Sequence, residues 1–462
     1  MLMHCCVVHT IRLFIIVSYL SFQRYMSYSM EDLREPLNGN GEYVYENFHD
    51  IVIVGGGVAG LATALALHRL GVKSLVLEKA SSLRTSGAAF IMWANAWKAL
   101  DALGVADSLR PNYCQLDGIS GWSNCTGMKK AVQLIKKAKG KLTMMMESRC
   151  IERIKLIETL AKELPEGTIR FNSEVVLINK DISSSLTLLK LADGTSITTK
   201  ILIGCDGVYS VVGRWMGIPP AKSSRRTAIR GMTTYEESHQ LEKFHSQVWD
   251  RGLRAGFIPC TEKQVYWFLT RRSQPQDVNI SGDAEKIRQS TLDTIRDFPK
   301  PFAELIEATP AETISLVDMK VRLAYPWEKL LPGKGNGSVT LVGDALHPMT
   351  PDLGQGSGCT LEDAVVLGRC LGETMKNINI VQWGEDKEKK IEWCFNKYLQ
   401  ERRWRVFTLI SAAFIIGIVN EGSSKLIRFG RDRILFPLFS MSYFKYFADF
   451  DCGSLKFDSS KE

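Results

Sequence analysis

The sequence predicts an α/β fold in which a parallel sheet is interrupted by an antiparallel sheet and followed by helices. Three short apolar runs, at 51–54, at 201–204 and before residue 343, each end in a glycine-containing turn, as buried parallel strands do. Residues 218–328 instead alternate short apolar or aromatic segments with turns. With 462 residues, the chain can form two or three domains or one large discontinuous fold.

The first apolar run opens a dinucleotide-binding pattern. Gly55, Gly57 and Gly60 follow it in G-x-G-x-x-G spacing, a helical pattern runs over 61–70, and the next predicted strand ends in Glu78. In such a fold the glycines make the tight turn, admit a pyrophosphate and let the helix pack closely, and the acid binds ribose hydroxyls. An acid at this position favours FAD or NAD over NADP.

Two further strand ends carry acids. Asp206-Gly207 follows the second run, and Gly343-Asp344 follows the third, ahead of a glycine-rich stretch that leads into a helix. Exposed peptide N–H groups at a helix start suit an anionic or carbonyl-rich ligand. A nicotinamide dehydrogenase needs only the first pattern, whereas a flavoprotein must also hold a ribityl chain and a second substrate. FAD is therefore the predicted cofactor.

Taken together, these segments resemble the flavoprotein aromatic hydroxylases, the single-component class A monooxygenases that include salicylate hydroxylase and zeaxanthin epoxidase. The resemblance is to the plant branch of small FAD-dependent monooxygenases, and it is carried by GAAFIMWANAWKALDALGV, ESRCIERIKLIETLAKELP, LIGCDGVYSVV, MTPDLGQG and ERRWRVFTLI. It covers residues 48–455 and implies a glutathione-reductase-like FAD-binding Rossmann fold with an interleaved antiparallel substrate domain and a C-terminal helical region.

The implied organisation has five parts. They are a dispensable or disordered leader (1–47), the first part of the FAD-binding domain (48–217), the antiparallel substrate domain (218–328), the second part of the FAD-binding domain (329–372) and the C-terminal helical region (373–462).

The resemblance also implies roles for matched positions. Glu78 would bind the adenosine ribose, Arg153 would reach the flavin or pyrophosphate, and Asp344 would bind the ribityl chain, while the backbone of 354–356 would face the isoalloxazine ring. The predicted cofactor-binding residues are Gly55, Gly57, Gly60, Glu78, Arg153, Asp206, Gly207, Gly343, Asp344, Pro351, Gly354, Gln355 and Gly356. The small residues after Gly356 depart from the family order, but Glu362 and Asp363 keep their spacing, so we expect the helix start to survive.

Candidate substrate residues come from the predicted antiparallel sheet, where sheet core is the alternative for each of them. They are Arg230, Phe257, Tyr266, Trp267 and Tyr325. His239 and His245 lie in a polar stretch and are expected to face solvent. His347 is expected to make a structural hydrogen bond or, alternatively, to act as a base.

The resemblance implies a monooxygenase. NAD(P)H would reduce FAD, and O₂ would then give a C4a-hydroperoxide that hydroxylates or epoxidises a small electron-rich aromatic or isoprenoid-type substrate, with no metal needed. NADH versus NADPH, the substrate and the oligomeric state stay open. The alternatives are an FAD-dependent oxidase or dehydrogenase, and a non-redox binding protein on the same fold.

Composition argues against a nucleic-acid partner and for a reducing compartment. The net charge of +8 is spread along the chain without a basic arm. The eleven cysteines are scattered, odd in number and without a C-x-x-C pair, so a disulfide framework is not expected. Free thiols favour a reducing compartment, and the predicted location is the cytoplasm.

Both ends carry apolar stretches too short to span a bilayer. The clean apolar run in the leader covers only 13–22, and Met26 or Met30 is the more plausible native start. Near the other end, 406–419 holds fourteen apolar residues, and basic residues are interleaved with apolar ones up to 436. This segment is expected to pack in the core, with an interfacial helix on a membrane as the alternative.

Overall fold

The computed structural model describes residues 47–83, 89–138, 141–323, 337–378, 380–422, 424–431, 433 and 441–455. Its strands are β1 (Phe48–Val54), β2 (Leu75–Leu77), β3 (Ala89–Trp93), β4 (Gly118–Ser123), β5 (Lys129–Gln133), β6 (Ile135–Ala138), β7 (Lys141–Met144), β8 (Ser148–Glu152), β9 (Ile169–Arg170), β10 (Val175–Asp181), β11 (Leu186–Leu191), β12 (Ser196–Gly204), β13 (Lys222–Thr234), β14 (Phe244–Asp250), β15 (Leu253–Pro259), β16 (Gln264–Arg272), β17 (Ser315–Val321) and β18 (Val339–Leu341).

The α-helices make up most of the remaining described elements. They are α1 (Val58–Arg69), α2 (Ala94–Leu103), α3 (Ala106–Leu109), α4 (Arg153–Lys162), α5 (Val211–Trp215), α6 (Asp277–Ile280), α7 (Ala284–Thr294), α8 (Lys300–Glu307), α9 (Gly356–Lys376), α10 (Glu385–Asn420), α11 (Lys425–Gly430) and α12 (Met441–Ala448). The α/β fold class predicted from the sequence is confirmed.

The parallel sheet brings the three predicted strand ends to one edge. Strands β18, β12, β1, β2 and β9 run parallel, and the β10–β11 hairpin adds antiparallel to β12. The apolar end of β1 is buried on both faces, which explains its uninterrupted hydrophobic sequence. Because these strands are parallel, the turns after β1, β2, β12 and β18 all lie at their shared carboxyl edge, where ligands bind in such sheets.

The turn between β1 and α1 is closed by glycines. Gly55 has φ +106°, and a Cβ there would lie 2.5 Å from the carbonyl oxygen of Cys205. A Cβ at Gly60 would lie only 1.9 Å from the carbonyl oxygen of Gly55, so α1 can approach β1 only because this position lacks a side chain. The packing role predicted for Gly60 agrees with this geometry.

The second sheet forms a roof beside the first. Its strand order is β17-β13-β16-β15-β14-β4-β5, antiparallel except where β14 pairs parallel with β4. Strands β4 and β5 come from inside 48–217, the range predicted for the FAD-binding domain, so the sheet is not confined to 218–328. Strand β4 pairs with the edge of β14 although the two are more than 100 residues apart in the sequence, so local sequence patterns could not predict this pairing. One face of the sheet packs against α7 and α8.

The C-terminal region is helical, as predicted, and is dominated by one long helix. Helix α10 extends over 36 residues from Glu385 to Asn420. Val406, Leu409 and Ile410 bury one of its faces against Cys359 of α9 and Val321 of β17. Helix α9 in turn packs on α1, so α10 is linked through α9 to the parallel sheet.

The glycine geometry predicts different outcomes for two neighbouring substitutions. Gly60→Ala should destabilise the ligand-free protein by about 1–3 kcal/mol, because its Cβ meets backbone that cannot move without shifting β1. Gly57→Ser should leave that stability nearly unchanged, since a Cβ at Gly57 meets nothing within 4 Å and serine is accepted at a helix N-cap. Urea unfolding of both variants without added ligand measures the difference, and equal midpoints would contradict it.

Candidate active site

A single continuous cavity lies between the carboxyl edge of the parallel sheet and the roof. Its volume is about 1110 Å³, which exceeds the range of about 300–1,000 Å³ typical of a pocket for one small ligand. It extends from Glu78 and Gly57 at one end to Arg230 and Phe444 at the other. The cavity therefore has room for more than one ligand.

Most of the predicted cofactor-binding residues line this cavity. They are Gly55, Gly57, Glu78, Arg153, Asp206, Gly207, Asp344, Pro351, Gly354, Gln355 and Gly356. Gly60 and Gly343 lie behind the lining. A Cβ at Gly343, which has φ +62°, would lie 2.9 Å from Thr360 Oγ1, so this glycine supports the turn rather than the cavity wall.

Glu78 fixes the turns at one end of the cavity. Its Oε2 accepts a hydrogen bond from the N–H of Gly56 at 2.7 Å, and its Oε1 accepts one from Ala80 at 2.9 Å. These bonds fix the carboxylate at the end of β2, beside the start of α1. At that start Gly57 leaves open space where a side chain would otherwise project. An acid beside a helix N-terminus without side chains fits the ribose and pyrophosphate of a dinucleotide.

Asp206 organises the next turn along the sheet edge. It accepts hydrogen bonds from Ser210 Oγ and from the N–H groups of Val211 (2.6 Å) and Val212 (3.3 Å), and so caps α5. Burial raises the pKa of its carboxyl group, against the effect of these donors. Gly207, with φ +78°, continues the turn along the cavity.

Asp344 projects into the cavity from the end of β18. Its side chain is open to the cavity, but it lies deep inside the protein. The loss of hydration at this depth raises the pKa of its carboxyl group. The positive charges of His347, Arg153 and Arg322 act in the opposite direction. Arg322 donates to the carbonyl oxygens of Ala345 (2.9 Å) and Leu346 (2.7 Å), which fixes the turn that carries Asp344.

The loop before α9 presents its backbone to the cavity. Gly354 has φ +61°, and a Cβ there would lie 2.4 Å from Ile91 Cγ2, so this glycine packs against protein. A Cβ at Gly356, the first residue of α9, would meet nothing within 4 Å. Gln355 is buried between them, and no partner for its Nε2 is found among the described residues. A bare helix start beside an amide nitrogen that has no partner among the described residues suits a flat ring that bears carbonyl groups.

A buried charge network fixes the start of α9. Asp363 accepts from Arg402 Nε at 2.7 Å, from the N–H of Gly343 at 3.1 Å and from His347 Nε2. Glu362 lies 2.6 Å from Arg402 Nη2 and 3.1 Å from Arg405 Nη2. Both acids kept their spacing in the sequence, and the structure shows that their partners are the arginines of the ERRWR motif.

His347 has a structural partner. Burial disfavours its charged form, but the carboxylate of Asp363 outweighs burial and raises the pKa of the imidazole. His347, Cys359 and Asp363 lie close enough to hold a metal ion. The guanidinium of Arg402 already contacts both Asp363 (2.7 Å) and Cys359 Sγ (3.3 Å), so positive charge is supplied by the protein itself.

A second buried network ties the loop at 351–353 to the roof. The side chain of Asp352 is fully buried, and its carboxylate accepts from Arg226 Nη1 at 2.7 Å and from Arg254 Nη1 at 3.1 Å. Arg226 also donates to Glu421, at the end of α10. Arg254 donates to Gln247 at 3.0 Å on the neighbouring strand. The network joins three parts of the fold at the substrate half of the cavity.

The roof strands show which predicted substrate residues reach the cavity. Arg230 and Tyr266 line it, together with Phe268. Phe257 and Trp267 do not, because side chains alternate along a strand and these two occupy the opposite face. Trp267 Nε1 donates to Thr309 Oγ1 at 2.8 Å, and the ring of Phe257 lies 5.2 Å from that of Phe302. The prediction for Phe257 and Trp267 is corrected to sheet core, and Tyr325 lies outside the described residues.

His245 is the functional candidate that the sequence interpretation missed. It was expected to face solvent, but it is buried on the cavity wall, and neither ring nitrogen has a partner among the described residues. Its ring lies 6.1 Å from that of Phe268 and 6.5 Å from that of Trp93. Burial, and then the charge of Arg254, lower the pKa of His245 to about 3, so the imidazole is neutral near pH 7. His239, by contrast, bonds the backbone at Thr261 and Leu241.

Comparisons with known proteins agree with this geometry. Residues 49–378 match the family model for an FAD binding domain. The chain is 41% identical over 414 residues to Monooxygenase 2 of Arabidopsis thaliana, which covers 89% of this chain and 99% of that protein.

Two solved structures share the fold. Klebsiella pneumoniae HpxO in complex with FAD and uric acid superposes with a TM-score of 0.69 at 21% identity, covering 88% of this chain and 97% of that one. A salicylate hydroxylase substrate complex gives a TM-score of 0.66 at 20% identity, covering 87% and 96%.

The charge network makes a prediction about stability. Arg402→Met should lower the free energy of unfolding by about 3–5 kcal/mol, because it leaves Asp363 and Glu362 buried without their shared partner. Arg403→Met is the matched control on the same helix, since Arg403 pairs with neither acid. Urea unfolding at pH 7 measures both variants, and an equal effect would show that the buried pairs do not hold the helices together.

The environment of His245 predicts a pH dependence. The folded-state pKa of about 3 lies below the reference value of 6.5, so the unfolded chain binds the extra proton first as the pH falls. His245 therefore contributes stability that is complete above 6.5 and is lost toward pH 3, with a slope of up to about 1.4 kcal/mol per pH unit.

His245→Phe should show a shallower loss of stability on acidification across this window, measured by urea unfolding in buffers that step through it. His68→Phe, at an exposed position, serves as the control. A slope identical to that of the wild-type protein would mean that the folded and unfolded states bind a proton at His245 equally, which would contradict the prediction.

Proposed function

The chain belongs to the single-component FAD-dependent monooxygenases, the flavoprotein aromatic hydroxylase family, and on that basis we propose that it uses NAD(P)H and O₂ to hydroxylate or epoxidise a small electron-rich ring. The observation that carries the proposal is the continuous cavity, whose nucleotide half and aromatic half meet at the bare backbone of 354–356. Bound there, FAD would supply hydride acceptance and oxygen transfer, and the protein would supply binding, orientation and exclusion of water.

The cofactor would lie along the sheet edge. Glu78 and the start of α1 would hold the adenosine and pyrophosphate, and Asp344 with Arg153 would bracket the ribityl chain. The helix start at Gly356 would direct its N–H groups toward the carbonyl edge of the flavin ring, where its positive dipole end favours the negative charge of the reduced form. Each assignment is supported by the position of the residue on the cavity wall.

The substrate half favours a flat ring that carries oxygen. Phe268 and Tyr266 supply aromatic walls, and Arg230, whose Nε donates to Ser315 Oγ at 3.2 Å, faces the cavity. A neutral imidazole donates one hydrogen bond and accepts another, so His245 can hold a substrate hydroxyl without changing its own charge. The Nε1 of Trp93, unpaired among the described residues, offers a second donor nearby.

The roof would keep water from the reacting position. The Asp352 network holds the loop of 351–353 against β13 and β15, so the sheet and the ring-binding loop are fixed relative to each other. A shielded site is what oxygen transfer needs, since water at the reduced cofactor would divert oxygen to H₂O₂. We also propose a cytoplasmic location, which fits the free thiols of the nine described cysteines.

The test is a substrate screen with the purified, FAD-loaded protein under ¹⁸O₂. NADH and NADPH oxidation would be followed with a panel of oxygenated rings that begins with salicylate and uric acid, the compounds named with the solved neighbours. The proposal expects a substrate that accelerates NAD(P)H oxidation and gains one ¹⁸O atom. Oxidised product without ¹⁸O, together with stoichiometric H₂O₂, would instead identify an oxidase. Binding without any redox turnover would identify a binding protein.

Gly356→Val tests where the ring lies. The valine would project into the open cavity, so the folded protein should remain stable and retain some FAD, while the displaced ring should be reduced slowly and release more H₂O₂. Gly384→Val is the matched control, because Gly384 also lies at the start of a helix and a Cβ there meets nothing within 4 Å. Flavin content, NADPH oxidation and peroxide yield are compared. Wild-type coupling in Gly356→Val would rule out ring binding at this loop.

A further inference from the structure

Exposed apolar side chains are concentrated on the C-terminal helices. We define the C-terminal apolar surface as Trp404, Ile415 and Ile418 of α10 with Leu426, Ile427 and Phe429 of α11. Leu426 is 81% exposed and Phe429 is 61% exposed. Large apolar side chains grouped in this way usually mark a surface that contacts a membrane or another molecule.

The second half of α10 is apolar on both of its sides. One face, with Val406, Leu409 and Ile410, packs in the core as the sequence predicted. The other face, which carries Ile415 and Ile418, is exposed. Among the described residues α10 is the one helix whose length and mean hydropathy resemble those of a membrane span, but only 28% of its most apolar window is buried. A helix that only packs in a soluble core would bury most of that window.

The charges around the surface are basic. Residues 422–433 contain four basic residues and one acid, Asp432. Lys425 and Arg433 are exposed beside the apolar side chains, and Arg403 lies over the ring of Trp404 at 5.3 Å. Basic residues interleaved with exposed Leu, Ile, Phe and Trp are typical of helices that lie in a membrane interface. Their charge complements anionic lipid headgroups.

The geometry excludes a spanning arrangement for α10. The apolar run from Val406 to Val419 is fourteen residues, or roughly 21 Å of helix, against a hydrocarbon core of roughly 30 Å. The helix is also tied into the fold on both sides of this run, by Arg402 to Asp363 and by Glu421 to Arg226. Only its exposed face is available to lipid.

We propose that the C-terminal apolar surface docks on an anionic membrane, with α10 and α11 lying in the interfacial plane. Ile416 and Val419, which alternate with the exposed Ile415 and Ile418, line the cavity. A docked protein would therefore hold the substrate half of its cavity one helix away from the lipid. If the proposed function is correct, this arrangement suits a lipophilic substrate, but the docking itself does not depend on the reaction.

The test is co-sedimentation of the FAD-loaded full chain with vesicles of phosphatidylcholine, with and without phosphatidylserine. Binding should require phosphatidylserine and weaken as salt is added. The double variant Leu426→Gln/Phe429→Gln should reduce the partition coefficient by about ten-fold or more. The matched control is Ile182→Gln/Val278→Gln, which changes two apolar residues outside these helices that are at least as exposed as the pair they match.

Two charge-reversal variants complete the experiment. Lys425→Glu should weaken binding by about five-fold or more, whereas Lys73→Glu, at an exposed site far along the chain, should not. Flavin content and thermal unfolding confirm that each variant is folded. Absence of vesicle binding, or equal binding by Leu426→Gln/Phe429→Gln and its control, would overturn the proposal. So would a dimer in solution that this variant dissociates without any effect on vesicles, because a second copy would then cover the surface.

Discussion

The structure of the site depends on the buried pairing of two adjacent acids with two arginines of the long C-terminal helix. Charges this deep cost free energy unless every one is paired, and Asp363 and Glu362 are paired with Arg402 and Arg405. Asp363 also holds the N–H of Gly343, and so sets the strand end that presents the next residue to the cavity. The network thus fixes the helix start and the strand end in one arrangement.

Helix α10 links the two halves of the cavity. Arg402, in its middle, is paired with Asp363 near the start of α9, and Glu421, at its end, is paired with Arg226 of the roof. Arg226 in turn holds Asp352, which lies in the loop just before Gly354. The roof and the segment of 351–356 therefore share one support. This explains why the fold retains a helix whose outer face is apolar and exposed: its inner face and its ends position the site.

The sequence predicted the parts of the site that depend on short spacings. The turn from Gly55 to Gly60 and the acid at Glu78 are set by covalent distance along one strand–helix–strand unit, so their spacing alone placed them. The sequence could not predict which face of the roof strands forms the cavity wall, because a shift of one residue in the strand register exchanges the two faces. Tyr266 and Trp267 were both candidates, and strand geometry allows only one of them to face the cavity. Within β14, His245 lies on the same face as Gln247 and Trp249, and the sequence could have indicated this. The burial of His245 could not be predicted, because it depends on residues that are far away in the sequence.

The electrostatics of the substrate half constrain what it can hold. Burial opposes charge of either sign, so a deep pocket alone would favour a neutral ligand and a neutral His245. The arginines change this balance, because their positive charge makes negative charge in the cavity less unfavourable than positive charge. Arg254 donates to Asp352 and Gln247, and its charge adds to the effect of burial in lowering the pKa of His245. Among the described residues Arg230 donates to the neutral hydroxyl of Ser315, so its positive charge remains on the cavity wall. A ligand oxygen near Arg230 would gain from carrying partial negative charge, while a hydroxyl near His245 would be held by a neutral acceptor too weakly basic to remove its proton. Under the proposed function, this pocket would favour a hydroxylated or carbonyl-bearing ring whose oxygen is polarised rather than fully ionised, because such a ring stays electron-rich without burying an unpaired charge.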